Sequence, residues 1–222
     1  MHRKIPALLN EMQVSSALNF RYFSCLLDKG HIKYEQFSNA IQKSSVKLAF
    51  DVLFYTGMRE GELLALTPAD ILPSKRIDIN KNYARIKGEE LFLVPKTPKA
   101  KRSISIPDFL YNDIQAYISK LYGIEKGDRI FYFTKSALDK EIKRVAEKAE
   151  LPPIRVHDLR HSHASMLVEI GFSPLEIANR LGHESVKTTL DTYSHLYPDK
   201  DQHLADRLNQ FRCPEPPAEE NP

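Results

Sequence analysis

Apolar residues recur along this chain in two rhythms, and the rhythm changes twice. Between Ser45 and Tyr55, Val46, Ala49, Val52 and Leu53 return every three or four positions, the spacing of a helix with one buried face. Thr56-Gly57 ends it, and a short second helix carrying Leu63, Leu64 and Leu66 is broken by Pro68. The period then shortens. RIDIN (76–80), YARIK (83–87), LFLVP (91–95) and RSISI (102–106) are alternating or apolar runs punctuated by Asn80, Asn82, Gly88, Pro98 and Pro107. They predict a small antiparallel sheet whose last two strands are joined by the turn KTPKAK. After Asp108 the helical spacing returns. Ala137, Leu138, Ile142, Val145, Ala146 and Ala149 share one face, and the helix 157–170 is closed by Gly171. Ser173-Pro174-Leu175-Glu176 combines an N-cap serine, a proline at N1 and a glutamate at N3, a strong helix start. A helix over 185–196 follows, then an amphipathic one over 201–211 striped by Leu204, Leu208 and Phe211. The expected fold class is α+β, mostly helical, with a small antiparallel β-sheet near the middle.

The ends of the chain read differently. Leu8–Leu27 has helix-compatible apolar positions interrupted by Gly30, so residues 1–43 are expected to be a helical N-terminal segment, a cap or the remnant of a preceding domain. The main domain is expected over 44–212, with a disordered acidic tail over 213–222. With 222 residues, 42% of them hydrophobic and 27% charged, the chain is long enough to bury a core and ordinary for a globular protein. Cys25 and Cys213 lie too far apart for a CxxC motif, which suits a reducing, cytoplasmic setting. Without an apolar run of about 18 residues, no membrane span is expected.

Net charge is +3, but that average hides a split. Removing the tail's Glu215, Glu219 and Glu220 raises the remainder to +6. Lys75–Arg102 alone holds nine Lys and Arg against three acidic residues, the footprint a polyanion favours, though equally that of a solvated hairpin.

Four places put polar groups on otherwise apolar elements. Arg59 sits between two apolar helices, with Glu62 one turn on. Lys96 opens the basic turn after a hydrophobic strand. His157 and Arg160 share a helix face three residues apart. Leu181-Gly182-His183 closes a helix, and Tyr193 lies ten positions later. Taken singly, each has an ordinary explanation: an ion pair, a surface lysine, a core tyrosine. His157 and His161 also have the i, i+4 spacing of a zinc helix, but HExxH is absent and a third ligand would have to be guessed. No metal is therefore expected.

Together, and in this order, these residues resemble the tyrosine recombinases, also called phage integrases. The segments that carry the likeness are TGMREGELLALTPADI (56–71), LVPKTPKAKRSISIP (93–107), HDLRHSHASMLVEIG (157–171) and LGHESVKTTLDTYSHLYP (181–198). Integrases of Gram-positive phages and conjugative transposons look nearest. The resemblance implies a catalytic domain over 44–212 that cleaves and rejoins double-stranded DNA through a 3′-phosphotyrosyl link. Tyr193 would be the nucleophile, and Arg59 and Arg160 would hold the phosphate. Lys96 would be the general acid, His157 the general base and His183 a hydrogen-bond donor to the phosphate. Glu62 would brace the arginine or the histidine, and Lys99, Lys101 and Arg102 would touch DNA. It implies no cofactor, metal or ATP, and a homotetramer on synapsed DNA that can be monomeric without it. Alternatives are a Xer-like resolvase with the same chemistry and a DNA-binding module that no longer cuts. Nine residues separate His183 from Tyr193, one more than is common in the family.

Overall fold

A computed structural model describes residues 31–95 and 97–197, with Ala205 and Leu208 beyond them. Lys96, residues 1–30, the acidic tail and most of the expected helix 201–211 lie outside the described residues. In chain order the elements are α1 (His31–Asn39), α2 (Ser44–Thr56), α3 (Glu60–Ala65), β1 (Ile71–Leu72), β2 (Arg76–Ile79), β3 (Asn82–Ile86), β4 (Glu89–Leu93) and β5 (Arg102–Ser105). Then come α4 (Asp108–Ile118), α5 (Lys135–Lys148), α6 (Val156–Ile170), α7 (Pro174–Leu181) and α8 (Val186–Tyr193).

The main core is built on α2, whose apolar stripe buries Phe50, Val52, Leu53 and Phe54. Helix α1 joins it directly. Tyr34 stacks on Phe54 with ring centroids 3.6 Å apart and donates a hydrogen bond to Asp51 at 2.7 Å, while Phe37 is fully buried. Two aromatic side chains before residue 44 thus pack into the same core as α2.

The four runs expected to be strands are antiparallel strands, but in two sheets rather than one. β1, β2 and β5 form one, in that order, and β3 and β4 form a separate hairpin. The turn after β4 thus connects strands of different sheets, and β5 returns to pair with β2, Ile77 opposite Ile104. Burial explains the choice. Pairing β2 with β5 sinks Ile77, Ile79 and Ile104 into the core, whereas the hairpin leaves Ile86, Phe92 and Leu93 largely exposed.

Helix α6 is the spine of the second half, packed against α2, α5, α7 and α8. Ala164, Leu167, Val168, Ile177, Leu181 and Tyr193 form a smaller core between α6, α7 and α8. The sequence predicts one helix through Leu196, but α8 stops at Tyr193, whose φ of −123° and ψ of 0° leave the helical region before a short 3-10 turn at Ser194–Leu196. Tyr193 is thereby placed at a helix end with its ring buried. Arg180 ties the halves together, donating to His163 Nε2 at 2.9 Å and to the carbonyls of Ser105 and Tyr55 at 3.2 and 3.1 Å.

Candidate active site

The site begins where α2 stops. Gly57 takes φ +67°, a conformation open to glycine, and a Cβ there would lie 2.5 Å from His163 and 2.7 Å from Leu181. The turn it makes aims its carbonyl at Arg160 of α6, which donates to it at 2.5 Å and to the Leu181 carbonyl at 2.8 Å. Both bonds come from the guanidinium ends, so a buried cation is fixed between the C-termini of α2 and α7, where carbonyls collect partial negative charge.

Two residues on, Arg59 precedes α3. Its backbone N–H donates to Glu62 at 2.8 Å and its guanidinium at 3.0 Å, while the side chain stays 42% exposed. Glu62 is buried and also receives both terminal nitrogens of Arg102, at 3.1 and 2.9 Å. Burial alone would raise the Glu62 carboxyl, but the hydrogen bonds and charge of Arg102 and Arg59 outweigh it and hold the group below its ordinary range. Glu62 thus braces two arginines. The side chain of Arg102, expected to touch DNA, is 6% exposed and also donates to the Arg180 carbonyl at 2.8 Å. The buried carboxylate draws it inward. Lys99 and Lys101 remain exposed, Lys99 donating to the Glu184 carbonyl at 2.8 Å.

His183 follows Gly182, the left-handed cap of α7, and its Nδ1 lies 2.8 Å from the hydroxyl of buried Thr189. That bond leaves Nε2 as the nitrogen available to a ligand. Burial, then Arg160, Arg59 and Arg102, press His183 down to about 4, so its imidazole is neutral at pH 7. Arg59, Glu62, Gly182 and His183 line a cleft of about 660 Å³ together with Leu93 at the end of β4 and Val94, Pro95 and Thr97 beyond it. Arg160 and Tyr193 are buried rather than among its lining residues.

The Tyr193 hydroxyl lies 2.8 Å from Nδ1 of His161. Burial raises the phenol above its ordinary value, with Arg160 pulling in the opposite direction. His157, the expected base, sets its ring edge-on against His161 with centroids 4.7 Å apart. Burial, then Arg160, lowers it too. His161 is the residue that sequence reasoning passed over, having weighed it only as a zinc ligand. Its signal was present: it follows Arg160 directly and shares a helix face with His157. Among the described residues no three His, Cys, Asp or Glu side chains group as a metal site. What the arrangement can do is hold a tetrahedral anion against fixed guanidiniums and a neutral imidazole, beside a tyrosine hydroxyl.

A mostly helical domain with small antiparallel sheets has the architecture of a tyrosine-recombinase catalytic domain. The Tn1549 transposon integrase, solved in complex with a circular intermediate DNA, superposes with a TM-score of 0.70 at 22% identity over 80% of this chain and 64% of that one. The catalytic domain of bacteriophage HP1 integrase gives 0.56 at 20% identity, over 82% of this chain and 94% of that one. The phage integrase family model matches residues 31–200, and the chain belongs to that family. It is 31% identical to the ICEBs1 integrase of Bacillus subtilis strain 168, over 94% of this chain and 57% of that protein. It is 30% identical to the integrase of Staphylococcus phage L54a, over 92% and 60%. The chain therefore spans less than two thirds of the length of these relatives.

Proposed function

We propose that the chain supplies the catalytic domain of a site-specific DNA recombinase, an integrase of a mobile element, acting on double-stranded DNA in the cytoplasm. The observation that supports this reading is that Arg59, Arg160, His183 and Tyr193, from three separate stretches of sequence, lie close enough for Arg160 to act electrostatically on both His183 and Tyr193 and for Arg59 to act on Arg160 and His183. Arg160 is locked by two carbonyls, Arg59 reaches the cleft, and His183 offers Nε2. Two forked guanidiniums stabilise the charge that builds on the equatorial oxygens as Tyr193 attacks phosphorus. The product is a 3′-phosphotyrosyl link and a free 5′-hydroxyl, which takes its proton from Lys96. Because the bond energy stays in the phosphotyrosine, rejoining needs no nucleotide. Exposed Lys99 and Lys101 continue the positive surface along the DNA backbone. Assembly as a homotetramer on synapsed DNA belongs to the same reading, and light scattering with and without DNA tests it.

A nicked duplex that loses its short 5′ fragment on cleavage traps the covalent intermediate. The expected result is a protein–DNA adduct that disappears in Tyr193→Phe and persists in EDTA. An adduct surviving Tyr193→Phe would remove Tyr193 from the nucleophile's role. Arg160→Ala is expected to slow adduct formation by at least about a hundredfold, the usual effect of losing a transition-state donor.

A further inference from the structure

Tyrosine is a weak nucleophile at neutral pH because its proton leaves near pH ~10 in water, and burial of Tyr193 moves that loss further away. If Tyr193 attacks phosphorus, its proton must leave, and the shortest transfer is to an acceptor that touches the hydroxyl. His161 Nδ1 lies within hydrogen-bond distance of that oxygen, at 2.8 Å.

We infer that His161 is a catalytic residue, the acceptor of the Tyr193 proton during attack, an inference that rests on the recombinase reading above. In this step the Tyr193 Oη–H bond breaks and the proton moves to His161 Nδ1. The Oη–P bond forms, the P–O5′ bond breaks, and the leaving oxygen is protonated by the acid, the role given to Lys96. On rejoining, the 5′-hydroxyl gives its proton back to the acid as its oxygen bonds phosphorus, the Oη–P bond breaks, and the imidazolium returns its proton to the departing Tyr193.

The surroundings suit the role. Arg160 and His161 are neighbours on α6, so the phosphate-holding group and the acceptor move as one piece. Arg160 is pinned to Gly57 and Leu181, which fixes that turn of helix relative to α2 and α7. The edge of His157 against His161 limits how the acceptor ring can turn. Burial, then the charges of His157, Arg160 and Arg155, hold His161 down to about 4, with Asp158 opposing, so its imidazole is neutral at pH 7 and in the Nε2–H tautomer presents Nδ1 to the Tyr193 hydroxyl as an acceptor. Such an imidazole is a weak base while the site lacks an anion. An arriving phosphodiester carries a negative charge that offsets Arg160, and charge building on the phosphoryl oxygens strengthens the effect. Basicity therefore rises when the proton is to be moved.

Two measurements test this. The first needs no DNA. In protein labelled with 15N-histidine, with His161 assigned by its loss in His161→Asn, the ring is expected as the Nε2–H tautomer with a bare Nδ1 at pH 7. An Nδ1–H tautomer would overturn the inference, since His161 would then donate to Tyr193. The second uses nicked duplexes carrying the end sequences of the DNA segment that holds the chain's gene. Asn can place an oxygen where Nδ1 sits and accept the hydrogen bond, but it cannot take up the proton. His161→Asn is expected to slow adduct formation at least about a hundredfold, within the range for general bases. Replacing Tyr193 by 2,3-difluorotyrosine, which ionises more readily, should restore at least tenfold in that variant and little in the parent. A His161→Asn rate within about threefold of the parent, or no recovery with difluorotyrosine, would reduce His161 to holding the ring. Failure of the parent itself to form an adduct would count against the recombinase reading, while the tautomer measurement would still decide the hydrogen bond.

Discussion

Gly57 shows how much of the site rests on a residue with no side chain. Its φ of +67° ends α2 and turns its carbonyl toward Arg160, and the space a Cβ would fill is already held by His163 and Leu181. Gly57→Ala adds two costs. A left-handed conformation penalises an L-residue by about 1–2 kcal/mol, and forcing a methyl into a packed contact adds roughly 1–3 kcal/mol. The variant is expected to lose about 2–5 kcal/mol in urea unfolding, and adduct formation should fall at temperatures where it remains folded. The second effect follows because the displaced carbonyl is one of the two that orient Arg160. A folded variant with full cleavage rate would mean that Leu181 alone suffices. His161 lies at the same scale and was legible only in part. The sequence places it beside Arg160, but it cannot say which ring of a His157–His161 pair meets a tyrosine 32 positions away. That depends on how α8 docks on α6, a tertiary fact that spacing does not encode.

Among the elements, the short helix α3 is held by what precedes and faces it. Glu62 caps its start through the Arg59 backbone, and β5 delivers Arg102 to the same carboxylate. Because both side chains of the Glu62–Arg102 pair are almost fully buried, removing one leaves a stranded charge. Glu62→Ala is expected to cost about 3–5 kcal/mol, whereas a joint Glu62→Gln, Arg102→Met change should cost far less than the sum of its parts. A double-mutant cycle by chemical denaturation measures the difference, and additive costs would show that the two do not couple. This pairing also marks the limit of sequence reading for the strands. Alternation and turn residues located all four runs, and helix caps such as Ser173 and Gly171 lay where the pattern put them. Strand partners were another matter. The β4–β5 turn looks like a hairpin, yet β5 pairs with β2 because burying Ile77, Ile79 and Ile104 outweighs closeness in sequence. The inward turn of Arg102 was hidden for the same reason, since a run of basic residues does not reveal which of them faces a buried carboxylate.

Across the whole molecule, burial first and positive neighbours second keep several histidines from taking protons, and this shapes how the fold responds to acid. His161 and His183 are held at about 4 and His163 at about 3, in each case first by burial and then by charged neighbours. In the unfolded chain the same residues titrate near ~6.5. Above that pH neither state binds protons at these sites, and their contribution to stability is constant. Between about 6.5 and 4 the unfolded chain takes up protons that the folded protein refuses, so stability falls as pH drops. Glu62 adds a lower window of the same sign. Its folded value lies below the ordinary carboxylate range, so its contribution is complete above ~4.5 and is lost as pH falls toward the folded value. Glu60 opposes them: burial, then Asp139, raises its carboxyl to about 7, so the folded protein takes up that proton first and gains stability as pH falls toward ~4.5. Unfolding midpoints in urea should therefore decline from pH 6.5 downward, the three histidines outweighing Glu60, and keep declining below about 4.5 as Glu62 takes over from His161 and His183. His163→Leu tests the assignment through the slope rather than the absolute stability, because losing the Arg180 contact shifts the whole curve. The expected result is a shallower decline between pH 6.5 and 4 than in the parent. An unchanged slope would show that His163 is protonated equally in both states, and the acid response would then belong to the histidines around the phosphate position and to Glu62.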